Sequence, residues 1–201
     1  MRVLVGCEFS GVVCDAFRGM GHEAFSCDLL PREDGKDAFH FRCDVRKILG
    51  GVRRFETGEL IPWDLMIAHP PCTHLAVSGA RWFKDKQKEQ AEALDFVREL
   101  MAAPIPRICI ENPVSVISSE IRKPDQIVQP FMFGDPYRKT TCLWLKGLPK
   151  LIPTSNMTTG EQKCWKEAPG PDRWKRRSRT YPGFANAMAD QWGALAQEKA
   201  A

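Results

Sequence analysis

The chain has no C-x-x-C pair, no paired histidines beside a cysteine, no long apolar run, no internal repeat and no low-complexity tract. Each absence removes a class of protein. A membrane helix needs about 20 consecutive apolar residues, so no membrane segment is expected. Structural zinc sites use closely spaced ligand pairs. The eight cysteines, at 7, 14, 27, 43, 72, 109, 142 and 164, do not supply them, and no metal is expected. The apolar part of Met1–Gly6 is too short for a signal peptide and reads as a first strand. The expected compartment is therefore cytoplasmic.

What is present suits one domain with a full core and room for a small appendage. The 201 residues are 43% hydrophobic and 27% charged, ordinary values for a globular chain. Most cysteines lie in apolar runs, where a free thiol packs as a small hydrophobe. The net charge of +4 is unevenly placed. Residues 145–180 hold nine Lys/Arg and three Asp/Glu, a balance of +6, which leaves −2 for the remainder. A basic segment of this kind suits either a polyanion partner, through phosphate contacts, or a solvated loop.

Strand-like and helix-like segments alternate through the first two-thirds. Strands are expected at Val3–Gly6, Glu23–Asp28, His40–Asp44, Leu65–His69 and Arg107–Glu111. Helices are expected at Gly11–Met20 and at Gln87–Met101, the latter with Ala91, Leu94, Val97, Leu100 and Met101 on one face. This β-α-β order predicts a mostly parallel, doubly wound sheet with ligands at the carboxyl ends of its strands. Thr141–Leu145 reads as a later strand in an antiparallel hairpin. A Pro/Gly-rich basic stretch follows over 147–180, then a helix from Phe184 to Glu198.

The most informative stretch is His69-Pro70-Pro71-Cys72, at the end of the apolar run Asp64–Ala68 and ahead of a small, polar loop, Thr73–Gly79. A second such point is Cys109-Ile110-Glu111-Asn112-Pro113. A thiol and a carboxylate, each at a strand end, are the parts needed for covalent attack on a ring assisted by an acid. Other strand ends point to a nucleoside cofactor. Glu8, Phe9, Ser10 and Gly11 form a strand-to-helix turn, where glycine lets a ligand approach helix N-terminal N–H groups. Asp28, followed by Leu29, stands where an acid commonly holds a ribose hydroxyl. Asp44, followed by Val45, could bracket an adenine. Taken singly, either acid reads equally well as a turn cap.

These motifs resemble those of the cytosine-C5 DNA methyltransferases. Asp64–Gly79, DLMIAHPPCTHLAVSG, is similar to the family's strand, Pro-Pro-Cys and mobile loop. CIENP resembles its Glu-Asn-Val motif, with proline in the third place. VLVGCEFSG matches the Phe9-x-Gly11 half of its cofactor turn. Gly183–Met188 loosely resembles its last motif, which returns to the cofactor through Asn186 and Ala187.

The resemblance implies a Rossmann-like, S-adenosylmethionine-dependent methyltransferase fold with a mostly parallel sheet. It implies a compact, phage-like enzyme that acts on cytosine in duplex DNA with the target base flipped out. The catalytic and cofactor-binding part would span 1–144, a short basic target-recognition insertion 145–182, and a returning C-terminal helix 183–201. His69 stands where the family has glycine. With Pro70 it is assigned to the cofactor wall, while lining the substrate pocket and simple space-filling both stay open.

The chemistry suits the residues. C5 of cytosine is a poor nucleophile, so methylation there needs prior addition at C6, and a thiolate is the best side chain for that addition. Addition puts negative charge on N3 and O2, which Glu111 relieves by donating a proton to N3. Asn112 would fix that carboxylate or its loop. Where the family has Gln-x-Arg-x-Arg, this chain has Gly134–Thr141. Lys139 could replace the first arginine, Arg138 is one position off, and Thr141 brings no charge. His74, Arg138, Trp165, Trp174, Lys175, Arg176, Arg177 and Arg179 are the candidate nucleic-acid contacts, by phosphate pairing and base stacking. The short recognition region keeps RNA and free cytidine nucleotides open as substrates. The altered arginine segment keeps open a catalytically idle binding relative.

Overall fold

The computed structural model describes residues 1–162 and 167–195. Among them the strands are β1 (Arg2–Gly6), β2 (Glu23–Asp28), β3 (His40–Arg42), β4 (Val52–Arg53), β5 (Leu60–Ile61), β6 (Leu65–Ala68), β7 (Arg107–Pro113), β8 (Gln126–Val128) and β9 (Thr141–Lys146). The helices are α1 (Val12–Gly19), α2 (Gln87–Ala102), α3 (Ile117–Glu120), α4 (Arg173–Ser178) and α5 (Pro182–Gly193). Val3, Leu4 and Val5 of β1 are buried, and so are all four residues of β6. Strands that are apolar on both faces belong inside a sheet covered by helices on both sides.

That sheet has seven strands in the order β3-β2-β1-β6-β7-β9-β8. The strands from β3 through β7 pair in parallel, while β9 runs antiparallel between β7 and β8. The fold is thus the doubly wound, Rossmann-like α/β class with a mostly parallel sheet that the sequence predicts. The chain winds outward from β1 to β3, then returns to place β6 on the other side of β1. The reversal opens a crevice at the carboxyl ends of β1 and β6, the usual ligand position in such sheets.

Alternation along the strands splits the core in two. Val3 and Val5 face α1 and α5, with Phe17, Met188 and Trp192 packed behind them. Leu4, Met66 and Ile108 face α2, with Leu94, Val97 and Leu100.

Several expectations are adjusted. Ala91 is exposed, and Ala93 and Phe96 pack on the core in its place. β7 runs two residues past Glu111, because Asn112 and Pro113 still pair with Cys142 and Thr141. The β4–β5 hairpin and β8 are short strands without a readable period. Helix α4 emerges inside the stretch expected to lack periodicity.

Candidate active site

The Pro-Pro-Cys turn is fixed from three sides. The His69 N–H donates to the Gly6 carbonyl at 2.9 Å, which continues the β1–β6 ladder past the strand end. Asn112 Nδ2 donates to the Pro70 carbonyl at 2.8 Å. The N–H groups of Leu75 and Ala76 both donate to the Cys72 carbonyl, at 3.0 and 2.8 Å. Leu75 is fully buried, and its carbonyl accepts from the Val116 N–H. The start of the expected mobile loop is therefore tied to the segment after β7, and a 3-10 stretch follows over Val77–Asp85. Asn112 acts on the turn, not on the Glu111 carboxylate.

Cys72 is exposed at the wall of a cleft of about 680 Å³, whose lining includes Glu111, His69, Lys139, Phe9 and Trp174. Glu111 is buried in β7 between β6 and β9. Its Oε2 lies 2.8 Å from His69 Nδ1, a contact across 42 residues that no local pattern signals. Burial pushes the Glu111 carboxyl up. The His69 hydrogen bond and charge, with Lys139 and Thr141, outweigh that and hold it below the usual carboxylate value. The Thr141 hydroxyl also lies 3.0 Å from the Lys139 carbonyl, so it has one proton to share between two acceptors. Cys72 shows the opposite balance. Desolvation by surrounding protein and the Glu111 charge push its thiol up, more than Lys139 and Arg177 pull it down. Lys139 is held by Gln129 Oε1, which accepts from its N–H at 2.9 Å, and its Nζ donates to the Arg179 carbonyl at 3.3 Å.

At the β1 end the residues divide. Glu8, Phe9 and Ser10 line the cleft, as does Pro70. The buried Glu8 carboxylate accepts from the N–H groups of Val13 (2.7 Å) and Cys14 (3.2 Å). It thereby caps α1 and occupies donors expected to face a ligand. Gly11 has a φ of 75°, and a Cβ there would run into the Arg32 guanidinium. The close approach that glycine permits is taken by Arg32, which is buried and bridges Asp15 and Asp34. Asp28 accepts from the Leu30 N–H, and Asp44 caps a 3-10 turn through the Arg46 N–H. Leu29 is exposed, and Val45 is buried against Gly6. None of these four lines the main cleft, yet both acids act on it: burial first, and then their charges, push the Cys7 thiol up to about 12. Cys7 itself lines the cleft at a φ of 58°, a strained conformation for a residue other than glycine.

The C-terminal candidates separate as well. Asn186 is exposed and Ala187 is buried in the core; neither lines the cleft, because α5 packs behind the sheet on the α1 side. Trp174 does line it, its ring 5.5 Å from that of Phe9. Arg138, Arg177 and Arg179 line it too, and Arg179 pairs with Glu33 at 2.6 Å. Lys175 and Arg176 turn away, paired with Asp172 at 3.1 Å and Glu167 at 2.8 Å. His74 borders a smaller neighbouring cavity, and Trp165 lies outside the described residues. Among the described residues, no group of three or more His, Cys, Asp or Glu is arranged to hold a metal ion. No helix among them is long and apolar enough to cross a membrane.

Arg32 and Gln129 are not legible in the sequence, because a single arginine or glutamine carries no periodic or motif signal. The position of Cys7, directly before Glu8, was the one available hint at its part in the cleft. No family model and no curated protein matches the chain. Solved structures do resemble it. A DNA modification methyltransferase encoded within an E. coli prophage matches at 18% identity, with a TM-score of 0.48, over 77% of this chain and 53% of that one. The Entamoeba histolytica methyltransferase EhMeth matches at 16% identity and a TM-score of 0.48, over 80% and 56%. The S. pombe Dnmt2 methyltransferase matches at 16% identity and a TM-score of 0.42, over 75% and 50%. The chain spans about half the length of these structures.

Proposed function

We propose that this chain methylates C5 of cytosine in DNA, with Cys72 as the nucleophile at C6 and Glu111 as the acid at N3. The observation that carries this reading is the meeting of an exposed thiol and a buried carboxylate in one cleft at the strand ends, close enough that the charge of Glu111 raises the thiol of Cys72. Neither rests in its working form: the thiol is raised, the carboxyl lowered. Net transfer of one proton from Cys72 to Glu111 converts both at once. It leaves a thiolate beside Lys139 and Arg177, the two cations that favour it, and a neutral acid able to donate to N3.

The Cys72 Sγ–C6 bond then forms, the ring electrons move toward N3, and the Glu111 proton follows them. Bound S-adenosylmethionine supplies the methyl group that C5 accepts. Loss of the C5 proton to solvent water expels Cys72 as a thiolate when the S–C6 bond breaks, and the N3 proton returns to Glu111. Residues Cys7–Ser10 and Pro70 would border the donor, and Asp28 and Asp44, whose charges reach Cys7, suit hydroxyl and amine donors of a nucleoside. A target cytosine in a duplex must leave the stack to reach Cys72. Trp174 and the cations Arg138, Arg177 and Arg179 along the cleft suit an aromatic and polyanion contact there.

The test is transfer of label from methyl-labelled S-adenosylmethionine to duplex DNA, tRNA and dCMP in parallel. Label at C5 of cytosine in DNA, abolished by Cys72→Ser, is the expected result. Label only in tRNA or dCMP overturns the DNA assignment and keeps the chemistry. Cofactor binding without transfer to any substrate overturns both.

A further inference from the structure

The sequence leaves His69 open between the cofactor wall, the substrate pocket and space-filling, and its geometry gives it a more specific place. Three adjacent strand ends bring Glu8, His69 and Glu111 together, since β6 lies between β1 and β7. His69 is nearly buried, its Nδ1 faces Glu111 Oε2 at 2.8 Å, and its Nε2 is buried with no hydrogen-bond partner. One hydrogen bond joins the two side chains, and one proton lies in it. A carboxylate can only accept, so the ionised Glu111 requires that proton on Nδ1.

We infer that His69 is the positioning residue for Glu111, donating from Nδ1 to Oε2 so that the proton Glu111 gives to substrate is carried on Oε1. The inference rests on the C5-methylation reading for its catalytic consequence, though not for its structural part. A carboxylic acid whose carbonyl oxygen already accepts an N–H has one oxygen left for its own proton. Without that bond either oxygen could carry it, and the side chain would lose its tie to the end of β6. Placement errors of about 1 Å at a reacting group cost up to about 10²-fold in rate.

The charged and titratable groups around the pair are few. Glu8 faces His69 from the β1 end, and its attraction to His69 opposes the rise that burial gives its own carboxyl. Cys72 faces Glu111 from the turn after β6, Cys109 from β7 and Cys142 from β9, each thiol pushed up by burial and by Glu111. Lys139 faces it from the segment before β9.

The test is a titration of the Glu111 carboxyl in protein labelled with ¹³C at the glutamate carboxyl, with its signal assigned by Glu111→Gln. In His69→Ala the titration of Glu111 moves to higher pH, because the largest influence opposing burial is removed and only Lys139 and Thr141 remain. In His69→Asn, which keeps an N–H donor near the Nδ1 position, it moves less. Affinity for S-adenosylmethionine, read by calorimetry, stays within about twofold in both. Turnover falls about 10²-fold in His69→Ala and recovers in part in His69→Asn. An unmoved Glu111 titration overturns the inference. So does a large loss of cofactor affinity with the titration unchanged, which would return His69 to the cofactor wall. If His69→Ala does not fold, His69→Gln serves as the variant without a donor at Nδ1. A wild-type chain that methylates nothing overturns the C5 reading, and the titration still decides the role of His69.

Discussion

At Cys72 two opposing influences meet on one sulfur, and their balance is testable without any substrate. Desolvation by the surrounding protein and the Glu111 charge raise the thiol; Lys139 and Arg177 lower it. A raised thiol pKa keeps the thiol form dominant at neutral pH, so the thiolate fraction climbs only as pH approaches that value. Alkylation of Cys72 by iodoacetamide should therefore be slow at pH 7.5 and accelerate at alkaline pH. Glu111→Gln removes a cause of the rise, so the alkylation profile should move to lower pH, with a rate at pH 7.5 increased by roughly threefold or more. Lys139→Ala removes an opposing cause and should move it the other way. Mapping the modified cysteine by mass spectrometry checks that Cys72 is the residue followed. A profile that ignores both substitutions would mean that neither Glu111 nor Lys139 governs the thiol.

Helix α1 shows what a local element contributes and what a sequence conceals. Its N-terminus carries no side-chain cap from Gly11; Glu8, from the end of β1, supplies the carboxylate instead. Glu8→Ala should lower stability by about 1–2 kcal/mol as two helix N–H groups lose their acceptor. In a chain of this size that is a fall in Tm of about 2–8 °C, measured by calorimetry without cofactor. A residue kept only for ligand contact would leave that Tm unchanged.

The sheet was legible because β1, β2, β6 and β7 are apolar runs bounded by turn residues, and α2 because Leu94, Val97 and Leu100 recur at helical spacing. Cys72 and Glu111 were legible because rigid strand ends put them there. The pairings were not. His69 with Glu111 and Asn112 with Pro70 span 42 residues each, and Arg32 reaches Gly11 only after the chain has turned back. A local pattern carries no record of which distant side chain it will meet. Asn186 and Ala187 illustrate the converse, since a motif-like string does not say which face of α5 turns toward the sheet.

For the whole molecule, net charge does not say where the positive groups lie. Arg138, Lys139, Arg177 and Arg179 share its lining, although the chain as a whole carries only +4. Binding to a DNA duplex should weaken as salt rises, with a log–log slope of about −2 to −4 if these groups each displace about one counterion. Arg138→Ala, at an exposed position, should reduce the magnitude of that slope by about 1 and weaken all sequences alike. Fluorescence anisotropy across a salt series measures both. A slope near zero would remove nucleic-acid phosphate as a partner of this cleft.

The segment 173–180 touches both ends of that cleft, with Trp174 against Phe9, Arg179 on Glu33, and the Arg179 carbonyl on Lys139 Nζ. The consequence is thermodynamic. Where loosening the Trp174 contact at one end also alters the Lys139 contact at the other, the two ends share one free energy. Linkage makes such coupling symmetric: whatever factor an occupant of the first end imposes on affinity at the second, an occupant of the second imposes on the first. With such coupling, a cofactor and a target base in this cleft would each report the presence of the other in their own dissociation constant, and by the same factor.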